Sequence, residues 1–166
     1  MSVLYSVLSF AEIAPTKRSE FAAYLASFSL EYPVHAERSR NPTQEEVENA
    51  IRIFPIDDFA TEYYRPDRVS SDEPWKSVVV RQLKHPHWNM EINTLKIPAD
   101  KQTPCGIYLN GKPEMNYRLL ERVAHDCGPL LSIANGEYDA VIFHYKDSEV
   151  DPPPSYCQGH SFVNQP

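Results

Sequence analysis

PLLSIANGEYDAVIFHY, residues 129–145, is the stretch on which the fold turns. Two apolar runs flank Asn135-Gly136. A two-residue type I′ turn needs positive φ at both central positions, and Asn-Gly meets that demand best. The stretch therefore reads as a hairpin of two antiparallel strands. Upstream, WKSVVVRQL (75–83) and WNMEINTLKI (88–97) read as two more strands, with KHPH between or within them. VLYSVLSFAEI (3–13) has the β-branched and aromatic content of a strand. CGIYLNG (105–111) is a further candidate, with NGKP (110–113) read as a turn.

Three segments carry helical spacing. In TKRSEFAAYLASF (16–28), Phe21, Tyr24, Leu25 and Phe28 share one face, and Thr16 is placed to cap. In SRNPTQEEVENAIRIF (39–54), Asn41 with Gln44 or Thr43 with Glu46 can form a capping box. Val47, Ala50, Ile51 and Phe54 then make the buried stripe, and Pro55 ends the helix at about Phe54. In PEMNYRLLERVAHDC (113–127), Met115, Leu119 and Val123 form a stripe that Tyr117, Leu120 and Ala124 widen, and Gly128-Pro129 closes it. Residues 57–74, DDFATEYYRPDRVSSDEP, show neither period and read as a long irregular loop. The expected fold is α+β: a mainly antiparallel sheet with two to three helices packed on one face. One domain is expected over residues 1–150, followed by an extended, Pro-rich tail over 151–166, where three consecutive prolines favour polyproline II.

The 166 residues carry a formal net charge of −7. Such a field repels nucleic acid and anionic lipid. The basic stretch around Arg38 and Arg40 is short and has no interleaved aromatic platform. Mean hydropathy is −0.49, and no run of eighteen apolar residues occurs, so no membrane partner is expected. The start lacks a basic leader and meets Glu12 early, and Cys105, Cys127 and Cys157 form no CxxC pair. Free thiols and a cytoplasmic location follow as expectations.

Two constellations carry chemistry. If residues 85–92 are one strand, His85, His87 and Glu91 share a face, and two imidazoles with a carboxylate can hold one divalent transition metal. The spacing H-x-H-x-x-x-E resembles the first metal motif of the cupins, small double-sheet barrels that carry it on strands. That resemblance implies a metal site, with a later histidine followed by an asparagine four positions on, a spacing which His160 and Asn164 have. It covers seven residues, and Val79 and Pro98 stand where flanking glycines belong, so no family membership follows. The other reading is the exposed side of an edge strand, where Pro86 is tolerated. The second constellation is Tyr63, Tyr64 and Arg65, an aromatic and cationic anchor rimmed by Asp57, Asp58, Asp72 and Glu73. Its alternative is that the tyrosines cover a local core edge.

A catalytic cysteine would need Cys105 or Cys127 beside His125, His144 or Asp126, and Cys127 at a helix C-terminus is poorly placed to be a thiolate. Phosphate-loop, dinucleotide, zinc-protease and nucleophile-elbow motifs are missing. The expectation is a non-enzymatic, protein-binding module without a cofactor, an inhibitor or immunity-type protein that neutralises a basic partner. The alternative is a small metal-dependent enzyme using His85, His87 and Glu91.

Overall fold

The computed structural model describes residues 3–33, 36–66, 72–134 and 139–143. The expected turn at Asn135-Gly136 and the expected tail, with Cys157, His160 and Asn164, lie outside the described residues, as does His144. The fold is α+β, with a seven-stranded antiparallel sheet and three helices. The strands are β1 (Val3–Ser9), β2 (Phe59–Tyr64), β3 (Ser77–Gln82), β4 (Asn89–Thr94), β5 (Ile107–Gly111), β6 (Leu130–Ala134) and β7 (Asp139–Phe143). Their order across the sheet is β2-β3-β4-β5-β1-β6-β7.

The strands around the opening stretch pair as expected. β6 and β7 run antiparallel, with Leu131 opposite Ile142. Strand alternation explains the two cores. Leu130, Val141 and Phe143 point into the main core with Val7, Met90, Ile92 and Leu109. Leu131, Ala140 and Ile142 point the other way, into a smaller core with Phe10, Leu25 and Leu30. Helices α2 (Gln44–Ile51) and α3 (Pro113–Cys127) cover the main-core face, as expected. Helix α1 (Arg18–Ala26) lies on the reverse face, over β6 and β7.

Helix α1 departs from the expected pattern. The chain enters it through a 3₁₀ turn at Pro15–Lys17, so Lys17 takes the N-cap position and Thr16 does not cap. Of the four apolar residues on the expected face, Leu25 is buried, while Phe21 and Phe28 are half-buried and Tyr24 is exposed. Phe21 and Phe28 pack against the smaller core, and the exposed Tyr24 ring bridges them, with centroids 5.7 Å from Phe21 and 5.3 Å from Phe28.

Helix α2 uses the second of the two expected boxes. Glu46 N–H donates to Thr43 Oγ1 at 3.1 Å, and Thr43 N–H donates to Glu46 Oε1 at 3.0 Å. Gln44 does not join a box with Asn41. It is fully buried and pins the helix to the start of β3: its Nε2 donates to Trp75 O at 2.6 Å, and Trp75 N–H donates to its Oε1 at 2.9 Å. The expected stripe of Val47, Ala50, Ile51 and Phe54 is buried. The helix itself ends at Ile51, and turns carry the chain to Phe54.

Arg40 ties the two core helices together. Its Nη1 and Nη2 each donate to a Glu46 carboxylate oxygen at 2.7 Å, and Nη2 also reaches Asp126 O at 3.2 Å. Burial pushes the Glu46 carboxyl up, but the hydrogen bonds from Arg40 and Thr43 outweigh it and hold the group below its ordinary pKa. The Glu46 hydrogen bond raises Arg40 in turn.

NGKP is not a free turn. Asn110 and Gly111 belong to β5, and Gly111 turns the chain into α3 at φ 115°. A Cβ there would overlap Asn89 O, so the close approach of β4 requires glycine.

Candidate functional site

Residues 57–74 are not one irregular loop. Phe59–Tyr64 form β2, an outermost strand of the sheet, which pairs with β3 from Phe59–Gln82 to Tyr64–Ser77. Period-two alternation sends Phe59, Thr61 and Tyr63 to the helix side and Ala60, Glu62 and Tyr64 to the reverse side. Phe59 packs against Phe54, with ring centroids 5.1 Å apart, and Tyr63 against Trp75 at 6.2 Å.

Between α2 and β2 lies a groove of about 710 Å³. Ile51, Phe54, Phe59 and Tyr63 line it with the exposed Ile56 and Leu83, while Glu48 and Arg52 supply its charge. Ile56 is 88% exposed and Leu83 54%, a heavy apolar exposure for two neighbours of one groove. Glu48 is already engaged, accepting from Trp75 Nε1 at 3.2 Å and from Lys101 Nζ at 3.1 Å.

The expected anchor is therefore divided between two faces. Tyr63 is half-buried at the groove, with the Arg65 guanidinium 5.2 Å from its ring centroid and Arg65 Nε donating to Glu73 O at 3.0 Å. Burial, with the nearby Glu48 carboxylate, pushes the Tyr63 hydroxyl up. Tyr64 is 47% exposed on the reverse face, where its hydroxyl donates to Glu62 Oε2 at 2.7 Å and is thereby raised. Asp57 and Asp58 are exposed in the turn that leads into β2, and Asp72 and Glu73 are exposed beyond it.

The histidines do not lie on a strand. His85 O accepts from Trp88 N–H at 2.8 Å, and Trp88 O accepts from Gln82 N–H at 2.9 Å, which closes a β3–β4 loop and delays β4 to Asn89. His85 and His87 stand with ring centroids 5.8 Å apart in a depression of about 350 Å³ that Gln82 and Trp88 complete. Glu91 does not line that depression; it sits on β4 opposite Val79, on the reverse face. Among the described residues no group of three or more His, Cys, Asp or Glu side chains is gathered as a metal ion requires. Trp88, Met90 and Ile92 do take the core side as expected, with Met90 and Ile92 fully buried.

Cys105 and Cys127 are buried free thiols. Burial pushes Cys105 up to about 11 and Cys127 to about 12, so both stay protonated and neither is set up as a nucleophile. No described helix is long and apolar enough to cross a membrane.

The feature missed by reading residues 57–74 as a loop is the strand edge beside the groove. Its signal was present: Phe59, Thr61 and Tyr63 alternate with Ala60 and Glu62 before Tyr64 breaks the pattern. No family model, no curated protein and no solved structure matches this chain.

Proposed function

We propose that the protein is a non-enzymatic binding module that takes an extended, basic segment of another protein as an added strand along β2. The observation that carries this reading is the outer edge of β2, beside an apolar groove and with β3 as its one neighbour among the described strands. An exposed sheet edge offers main-chain hydrogen bonds for affinity, and flanking pockets read alternate side chains for specificity. The groove supplies those pockets through Ile51, Phe54, Ile56 and Leu83. Asp57, Asp58 and Glu62, exposed along the same edge, favour a segment carrying Lys or Arg between its apolar residues. A neutralising role, as in an inhibitor or immunity-type protein, would act through this occupation of the partner's segment. The buried free thiols suit a reducing, cytoplasmic setting.

The test is a titration of ¹⁵N-labelled protein with a synthetic peptide of alternating valine and lysine. Amide resonances of Thr61 and Tyr63 shift on binding, and N-methylation of alternate peptide amides on the pairing edge abolishes the shift. Shifts confined to the reverse face, at Tyr108 and Asn110, or no shift at all, would refute the reading.

A further inference from the structure

We infer that a second copy of this chain occupies the β2 edge when no partner does, pairing antiparallel about Thr61, so that the site is regulated by competition between self-pairing and partner binding. This rests on the reading of β2 as an open edge.

The phase of the ladder selects the register. Leu83 N–H donates to Asp58 O at 2.9 Å, and Lys76 N–H donates to Tyr64 O at 2.7 Å. In an antiparallel ladder, alternate residues turn their backbone groups toward the partner strand. Even-numbered residues of β2 thus bond toward β3, and Phe59, Thr61 and Tyr63 turn their backbone groups outward. Phe59 N–H is taken by Pro55 O at 2.9 Å. A two-fold pairing centred on Phe59 would lose both bonds of its central pair, whereas one centred on Thr61 forgoes only one bond of each outer Phe59–Tyr63 pair. One centred on Tyr63 would engage little more than the end of the strand. Centred on Thr61, each Thr61 N–H meets the Thr61 carbonyl of the second copy, and each Tyr63 N–H meets the opposing Phe59 carbonyl.

The side chains agree with that register. Thr61 faces Thr61 and Phe59 faces Tyr63 on the groove side. Ala60, not an acid, faces Glu62. Beyond the strand, the turn that carries Asp57 and Asp58 comes to the end of the ribbon where Arg65 of the second copy leaves it, so Asp57 and Arg65 are brought to the same end, twice by symmetry. Threonine pairs, aromatic pairs and opposite charges are the cross-strand pairs that stabilise antiparallel ribbons. The net charge of −7 opposes association in general. The segment is acidic at Asp57 and Asp58 and basic at Arg65, so an antiparallel pairing brings its acidic end to the basic end of the second copy and relieves that repulsion locally. Arg65 keeps its contacts to Tyr63 and Glu73 while adding Asp57, because a guanidinium has five donors.

Sedimentation equilibrium over a concentration series tests the inference, with folding of each variant checked by thermal melt. The wild type is expected to dimerise. Thr61→Pro removes the outward donor and leaves the β3 ladder whole, since proline is accepted on an edge strand with its nitrogen toward solvent. It is expected to raise the dimer dissociation constant about tenfold or more. Asp57→Arg and Arg65→Asp each weaken the dimer, and the double reversal restores it, a rescue that holds even if the proline variant fails to fold. A wild type that stays monomeric to millimolar concentration, or a dimer indifferent to both the proline and the charge reversals, overturns the inference. The valine–lysine peptide separates the two proposals. Peptide binding to a strictly monomeric protein overturns self-pairing and leaves the proposed function standing. A Thr61-centred dimer that the peptide cannot dissociate, with no peptide binding to monomer, overturns the inferred competition and removes the partner reading with it.

Discussion

Replacing Gln44 by methionine tests whether α2 is held by its buried amide. The side chain keeps its length and apolar volume but loses both hydrogen bonds to the Trp75 backbone, at 2.6 and 2.9 Å. Gln44 and Trp75 are both fully buried, so water cannot replace the lost partners. A stranded buried donor or acceptor costs about 1–3 kcal/mol, and two are stranded here. Better packing of the thioether offsets part of this, leaving about 2–4 kcal/mol. At this chain length the melting temperature should fall by about 5–15 °C. Gln102→Met is the control: Gln102 donates to Glu45 Oε2 at 2.7 Å, but in an exposed setting where water substitutes, so stability should hardly change. Urea unfolding followed by tryptophan fluorescence measures both variants. A loss for Gln44→Met below about 1 kcal/mol at unchanged denaturant slope would refute the reasoning, since it would mean that the Trp75 groups find other partners.

Glu46 makes stability depend on acid pH. Its folded pKa lies below the unfolded value of about 4.3, so its contribution is complete above that value and is lost as pH falls through the folded pKa. Glu46→Gln keeps an acceptor for the capping box but should flatten this acid limb in urea melts between neutral and acid pH. Tyr63→Ala should lower the melting temperature, because Tyr63 packs on Trp75, whereas Tyr64→Ala on the reverse face should leave it unchanged in the same thermal melts. Iodoacetamide at mildly alkaline pH should leave Cys105 and Cys127 unmodified in the native protein and alkylate both in urea, as read by peptide mapping.

Residues whose environment is set by their own element were legible. Val47, Ala50, Ile51 and Phe54, and the α3 stripe from Met115 to Ala124, follow helical spacing and are buried as that spacing requires. Trp88, Met90 and Ile92 follow strand spacing and face the core. The errors fall where a distant partner decides. Residues 85–92 alternate well enough to extend β4 backward, but the His85–Trp88 turn closes the hairpin first. Thr16 and Tyr24 satisfy helical rules in isolation, yet α1 meets only the far end of the sheet, where Leu25 is buried and Phe21 and Phe28 are half-buried against the smaller core. Gln44 looked like a box residue because nothing local reveals Trp75, which lies 31 positions away. The candidate anchor is divided between two faces for a simpler reason: Tyr63 and Tyr64 are adjacent on a strand, and adjacent strand residues point to opposite faces.

The place of β1 in the sheet has a consequence for how the chain acquires its shape on the ribosome. Val3 pairs with Gly111, and Ser9 with Leu130. On synthesis β1 thus waits for partners made roughly a hundred residues later, a separation that slows closure by its loop entropy. Until then an apolar strand containing Val7 and Leu8 is exposed, while β2, β3 and β4, adjacent in sequence, can already assemble. That order allows a three-stranded sheet to form while β1 is still unpaired. An apolar strand left unpaired at that stage is prone to aggregate, and a pause in translation before β5 would lengthen its exposure.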